Sequence, residues 1–115
     1  MKIICEEKER NLVVTIHGDI DHHSSEEIKT AVDKSFQRSN AKNIIINFEN
    51  VDFMDSSGIG MLIGRYKMLE NKGEGGKLFS VGMSAVLARL FDISGLHKIM
   101  VEIKDVSQVL HGGCV

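Results

Sequence analysis

Hydrophobic and polar positions change period several times along the chain, and each change marks an element. Leu12-Val13-Val14-Thr15-Ile16-His17 alternates, with Leu12, Val14 and Ile16 on one face, as in a strand with one side against a core. Ile3–Cys5 is a shorter strand before it. The charged stretch from Glu6 to Asn11 is a turn through which the two strands pair as an antiparallel hairpin. Gly18-Asp19-Ile20-Asp21-His22-His23 reads as a polar loop. Behind it, Ser24-Ser25-Glu26-Glu27 has the form of a capping box, with Ser24 as N-cap and Glu27 three residues on. Ile28, Ala31, Val32 and Phe36 then form the inward stripe of a helix.

Ile44-Ile45-Ile46-Asn47-Phe48 is short, β-branched and bounded by polar residues, which predicts a buried strand. After Gly60 the helical period returns through Ile59, Leu62, Ile63, Tyr66 and Leu69, and ends at Asn71-Lys72-Gly73. A strand over Lys77–Val81 follows. Next comes a helix with Ser84 as N-cap and Val86, Leu87, Leu90 and Phe91 turned inward. A last strand over Ile99–Ile103, a short terminal helix from Asp105 to Leu110 and a frayed end over 111–115 complete the order. Two strands followed by alternating helices and strands specify an α/β domain. Its sheet is mixed but mostly parallel, with helices packed on it and right-handed crossovers. Functional sites in such sheets lie at the carboxyl ends of the strands. The loops carrying Asp21 and Asp55-Ser56 both follow strands and can share one end.

Composition narrows the function. With 115 residues, one domain spanning 1–115 with one core is expected. The formal net charge of -2, without a basic run, argues against nucleic acid, which needs clustered Lys and Arg. No apolar stretch approaches the roughly 20 residues of a membrane helix, and the first residues lack the apolar core of a secretory signal. Cys5 and Cys114 form no metal-binding pattern. A reduced, cytoplasmic chain without a membrane partner is therefore expected.

The candidate chemistry centres on Asp55-Ser56-Ser57-Gly58, where a strand-to-helix loop becomes the first helical turn. Backbone N–H groups there lack partners, and the helix dipole is positive. A serine hydroxyl at that place either caps the helix or carries a phosphate in a field that tolerates one. A phosphate would add about −1.5 to −2 charges, opposed by Asp55 and Asp52. Hydrolase chemistry is not supported, because neither serine has a glycine two residues before it. The GxxxxGK[ST] phosphate loop is absent, and Gly73-Glu74-Gly75-Gly76-Lys77 precedes a strand and reads as a turn. His22-His23 stands without further ligands and reads as exposed loop, so no metal or cofactor is expected. Gly58, Gly60 and Gly64 each lower helix stability by about 1 kcal/mol relative to alanine. Close packing on the sheet or the approach of another chain's backbone would account for them. Met61, Gly64, Arg65 and Met68 form a second face beside the core stripe.

Phe53-Met54-Asp55-Ser56-Ser57-Gly58-Ile59-Gly60 and Gly64-Arg65-Tyr66-Lys67 closely resemble the STAS domain of bacterial anti-sigma factor antagonists. So do the Gly18–His23 stretch and Arg89-Leu90-Phe91-Asp92-Ile93-Ser94-Gly95-Leu96-His97-Lys98-Ile99. Three separated motifs occur in register through nearly the whole chain, nearest to the sporulation branch that opposes an anti-sigma F factor. The resemblance implies a STAS-like single domain that is a binding protein and not an enzyme. It implies that the unphosphorylated form binds an anti-sigma factor, itself a serine kinase, and so frees the sigma factor. Phosphorylation of Ser56, or less readily Ser57, would inactivate it, and a PP2C-type phosphatase would reverse the mark. Asp21 matches an acidic loop residue beside the acceptor. Asp55, Ser56, Gly58 and Ile59 match the neighbourhood the partner grips, and Leu90 falls in a segment associated with the partner surface. The alternative is a non-switching STAS module, a scaffold or ligand-sensing subunit of a larger assembly.

Overall fold

The computed structural model describes residues 1–110. Among them the strands are β1 (Lys2–Lys8), β2 (Asn11–His17), β3 (Asn43–Asn50), β4 (Leu78–Val81) and β5 (Met100–Ile103). The helices are α1 (His22–Arg38), α2 (Ser56–Lys72) and α3 (Ala85–Ser94), with single 3-10 turns at Leu96–Lys98 and Val106–Gln108. The sheet order is β1-β2-β3-β4-β5; β1 runs antiparallel to β2 and the other pairs are parallel. This is the mixed, mostly parallel α/β sheet that the alternation of periods specifies.

The first hairpin is tighter than its charge pattern suggests. Glu6 and Glu7 remain in β1, opposite Val13 and Leu12, and the turn is reduced to Glu9-Arg10. Both turn residues have positive φ, 48° and 66°, as a two-residue turn matched to strand twist requires. Asn11 secures it, its Nδ2 donating to the carbonyls of Lys8 and Glu9 at 3.0 Å each.

One face of the sheet carries the main core. Leu12, Val14, Ile16, Ile44, Ile46, Phe48, Leu78 and Met100 lie in one buried cluster with Ile28, Val32 and Phe36 of α1, Leu62 and Leu69 of α2, and Leu87 and Phe91 of α3. Phe48 and Phe91 meet edge-to-face, with ring centroids 5.5 Å apart. Val13, Ile45, Val81 and Ile103 point the other way and are covered by Val109. The predicted terminal helix is, within the described residues, the single turn Val106–Gln108. The box-like cap holds: Asp105 accepts from the Ser107 N–H at 2.8 Å, and Gln108 accepts from the Asp105 N–H at 3.1 Å. The frayed end and Cys114 lie outside the described residues; Cys5 is a free thiol, half-buried.

Several sequence expectations shift by a few positions. α1 begins at His22, not after Ser24, because Asp21 is the N-cap. Ser24 occupies the third helical position, and its hydroxyl accepts from the Asp21 N–H at 2.9 Å. His22 and His23 therefore lie in the first turn of a helix, exposed, rather than in a loop. The described residues contain no group of three or more His, Cys, Asp or Glu placed to hold a metal ion. In α2 the buried face is rotated from the expected stripe. Met61 and Arg65 are buried, Ile59 and Tyr66 only partly, and Ile63 is 36% exposed. The helix leans towards α1, so the anticipated second face is partly core. In α3, Ser84 caps as expected, but Val86 is exposed and Leu90 only half-buried.

Beyond β2 and β3 the two chains separate through a register irregularity and then pair again. Ile20 and Met54 form an isolated parallel bridge. The Ile20 N–H donates to the Phe53 carbonyl at 2.9 Å, and the Asp55 N–H donates to the Ile20 carbonyl at 3.0 Å. Both side chains are sealed in the main core, at 0% and 2% exposure. Gly58 rests on this plug. A Cβ there would collide with Met54 Cγ and stand 2.9 Å from Ile20 Cγ2. The substitution Gly58→Ala is therefore expected to lower stability by about 1–3 kcal/mol despite alanine's better helix propensity. A fall in the urea midpoint without a change in slope would register it.

Candidate functional site

The carboxyl ends of β2, β3 and β4 open onto one edge of the sheet, and all three helices begin there. Each start has its own cap. Asp21 accepts from the Ser24 N–H at 2.8 Å, Asp55 from the Ser57 N–H at 2.8 Å, and Ser84 from the Leu87 N–H at 3.2 Å. Free backbone N–H groups and positive dipole ends converge on this edge, and two carboxylates answer them. The Ile20–Met54 bridge holds the loops of Asp21 and Asp55 side by side, as the alternation of elements allowed.

Because Asp55 is the cap of α2, the serines are released from that duty. Ser56 is the first helical residue, exposed, with no hydrogen bond to its hydroxyl among the described residues. Ser57 is half-buried; its Oγ lies 3.4 Å from His22 Nδ1 on α1. The two hydroxyls are thus unequal: one faces solvent freely, the other lies in the seam between helices. The expectation that Ser56 itself could serve as cap is corrected by the Asp55 geometry.

Asp21 stands across the bridge with its carboxyl held below the usual carboxylate range. The Ser24 backbone N–H is the first cause and the Ser24 hydroxyl the second, with His23 contributing less. Gly58 is buried and Ile59 half-buried, both in the first turn of α2. Leu90 is placed apart: it sits past the first turn of α3, packed against the main core. Phe53, which sequence reasoning named only as part of a motif, is 54% exposed next to this edge. Its polar neighbours Asp52 and Asp55 were the available signal.

A second feature lies on the flank, where α1 and α2 meet. Arg65 Nε approaches Asp33 Oδ1 at 2.9 Å, an ion pair off the line of a hydrogen bond. The arginine side chain is 7% exposed and the aspartate 26%. This buried pair between helices was not foreseen, since a 3.6-residue period places charged residues outward.

Comparison with known proteins agrees with this geometry. Residues 2–110 match the STAS domain. The chain is 39% identical over 89 residues to the anti-sigma F factor antagonist of Paenibacillus polymyxa, covering 77% of this chain and 74% of that protein. It is similar in structure to the anti-sigma factor antagonist SpoIIAA in its unphosphorylated form, with a TM-score of 0.78 and 28% identity over 94% of this chain and 93% of that one. The phosphorylated form of the Bacillus cell fate determinant SpoIIAA superposes at a TM-score of 0.70, again at 28% identity, over 94% of this chain and 96% of that one. The chain belongs to the STAS-domain anti-sigma factor antagonists. These are regulatory binding proteins and not enzymes.

Two outcomes test the site's construction. Asp55→Ala removes the cap of α2 and is expected to lower stability by about 0.5–2 kcal/mol, seen as a lower melting temperature. Asp21 has a lowered pKa in the folded state, so its contribution is present above its ordinary value of 3.8 and is lost as pH falls through the folded value. Acid titration followed by the His22 and His23 amide signals should therefore show the α1 start loosening only below that range, and Asp21→Asn should remove the dependence.

Proposed function

We propose that this protein is a phosphorylation-controlled anti-anti-sigma factor. Its unphosphorylated form binds an anti-sigma factor that is also a serine kinase and thereby releases the sigma factor. The observation that carries this reading is the exposed, unbonded hydroxyl of Ser56 at the start of a helix already capped by Asp55. A kinase can reach that oxygen without unfolding the helix. Transfer of the γ-phosphoryl group of ATP to Ser56 Oγ would release the hydroxyl proton and ADP. A PP2C-type phosphatase would return serine and inorganic phosphate.

The surroundings favour a switch in docking over a change in fold. Asp19, Asp21, Asp52 and Asp55 lie in the two loops of this edge, and neither Gly18–Asp21 nor Val51–Asp55 contains Lys or Arg. Neither loop offers a phosphate a guanidinium to fold onto. It adds about −1.5 to −2 charges to an acidic rim and leaves the core untouched. Exposed Phe53 and half-buried Ile59 supply apolar area for the partner, with Asp21, Asp55 and Gly58 shaping the contact and Leu90 extending it on α3. Likeness to an anti-sigma F factor antagonist supports sigma F, in sporulation, as the factor released. The ATP-dependent partner would make the cytoplasm the place of action.

The test is incubation with ATP and the cognate anti-sigma factor, followed by peptide mass spectrometry. One phosphate on Ser56 is expected, with loss of the stable complex. Ser56→Ala should keep partner affinity and take no phosphate, while Ser56→Asp should bind at least several-fold more weakly. Phosphate on Ser57 alone would move the acceptor. No phosphate with a competent kinase would favour the non-switching module.

A further inference from the structure

Two hydroxyls stand side by side at the start of α2, and the reading above uses one of them. Both are primary alcohols on consecutive residues of one helical turn, so a kinase presented with Ser56 meets Ser57 beside it. Their chemistry is equal and their surroundings are not. Ser56 is exposed and unbonded among the described residues, whereas Ser57 is half-buried, with its Oγ 3.4 Å from His22 Nδ1. His22 is the one hydrogen-bond partner of that hydroxyl among the described residues. Either tautomer serves: a bare Nδ1 accepts from the hydroxyl, and a protonated one donates to Oγ.

The main chain of this histidine is held by the groups around it. His22 is the first residue of α1, directly after the N-cap Asp21. The segment before it is bonded to the α2 side, the Ile20 N–H to the Phe53 carbonyl and the Asp55 N–H to the Ile20 carbonyl. Behind it, the Ser25 hydroxyl donates to the Asp21 carbonyl at 2.6 Å. The main chains of His22 and Ser57 are therefore fixed against each other, and the contact has to order only the few torsions of two short side chains. His23, one position on, engages its own helix instead: its Nε2 lies 3.6 Å from Glu27 Oε1, and its side chain is 91% exposed.

We propose that His22 is a positioning residue that selects the phosphoacceptor: it holds the Ser57 hydroxyl in the seam between α1 and α2 and so confines transfer to Ser56. Phosphoryl transfer needs the attacking oxygen in line with the bond to the leaving ADP oxygen. A hydroxyl bonded to His22 must first break that bond to reach the alignment, and Ser56 has none to break. On Ser56 the oxygen–phosphorus bond forms as the bond between the γ-phosphorus and the ADP oxygen breaks, and the hydroxyl proton passes to solvent. The inference rests on the function proposed above and assigns the choice between two adjacent serines, which the exposure of Ser56 alone leaves open.

Incubation with ATP and excess cognate anti-sigma factor, with timed peptide mass spectrometry, tests this in the Ser56→Ala background, where residual transfer to Ser57 sets the baseline. Thermal melts check folding. Adding His22→Ala should raise the Ser57 rate about two- to tenfold, the range for one hydrogen bond. His22→Asn in its place should return the rate towards the baseline, because the amide puts a polar atom where Nδ1 stands. His23→Ala should leave it unchanged. An unchanged rate with His22→Ala would overturn the proposal, and so would equal acceleration by His22→Ala and His22→Asn. A slower rate would make His22 an activator of Ser57 and overturn it too, as would phosphate on Ser57 in wild type. No phosphate on Ser57 in any variant, with wild type modified on Ser56, would leave the proposed function standing and remove the role of His22. No phosphate on wild type would remove both. In a labelled sample, Ser57→Ala should move the ring nitrogen signals of His22 and not those of His23. This readout decides the matter if His22→Ala fails to fold, and unmoved His22 signals would overturn the contact.

Discussion

The bridge between Ile20 and Met54 is the constraint on which this domain's working edge depends. Loops leaving parallel strands usually diverge, because each must climb to its own helix. Here two main-chain hydrogen bonds re-pair the chains after β2 and β3 have parted, and both side chains drop into the core. Two acidic loops are thereby fixed together by groups that carry no charge. The helix above can approach only because Gly58 leaves the plug room. Polar residues on top that cap no helix, such as Ser56, can then differ without loosening what lies beneath.

The same division of labour appears at the start of α2. One residue, Asp55, satisfies the backbone, and the next, Ser56, is left unengaged. Had the serine been the cap, adding a phosphate would have altered the helix start itself. With the cap one position earlier, the Ser56 hydroxyl lies outside the hydrogen bonds that define the fold, and the proposed phosphate would leave them intact. Ser57 illustrates the contrast: its amide answers Asp55 and its hydroxyl lies near His22, so its environment is shared by two helices.

The sheet and the order of its strands were legible because alternation and apolar runs are local signals. The cluster of Asp21, Asp55 and Ser56 was legible as two loops that could meet, though not as loops bonded to each other. That bond joins Ile20 and Met54, apolar residues inside motifs read for their polar members. The caps were misassigned at α1 because Ser24 fits a capping-box pattern equally well, and only three-dimensional geometry shows Asp21 taking the role. The rotation of α2 escaped for another reason. Periodicity counted Ile63 as inward and set Arg65 on a second face beside the core stripe, whereas in the structure Arg65 is buried and Asp33 on α1 makes its guanidinium tolerable there. Glycines read alike in sequence; only packing separates Gly58, which has no space around it, from Gly60 and Gly64, which have it in excess.

The order of strands across the sheet is also their order along the chain. Every strand after β1 therefore finds its first neighbour already synthesised. Loop closure is confined to one hairpin and a series of single crossovers, so no pairing reaches past the next strand. During translation, the β1–β2 hairpin can serve as a template onto which β3, β4 and β5 add in turn.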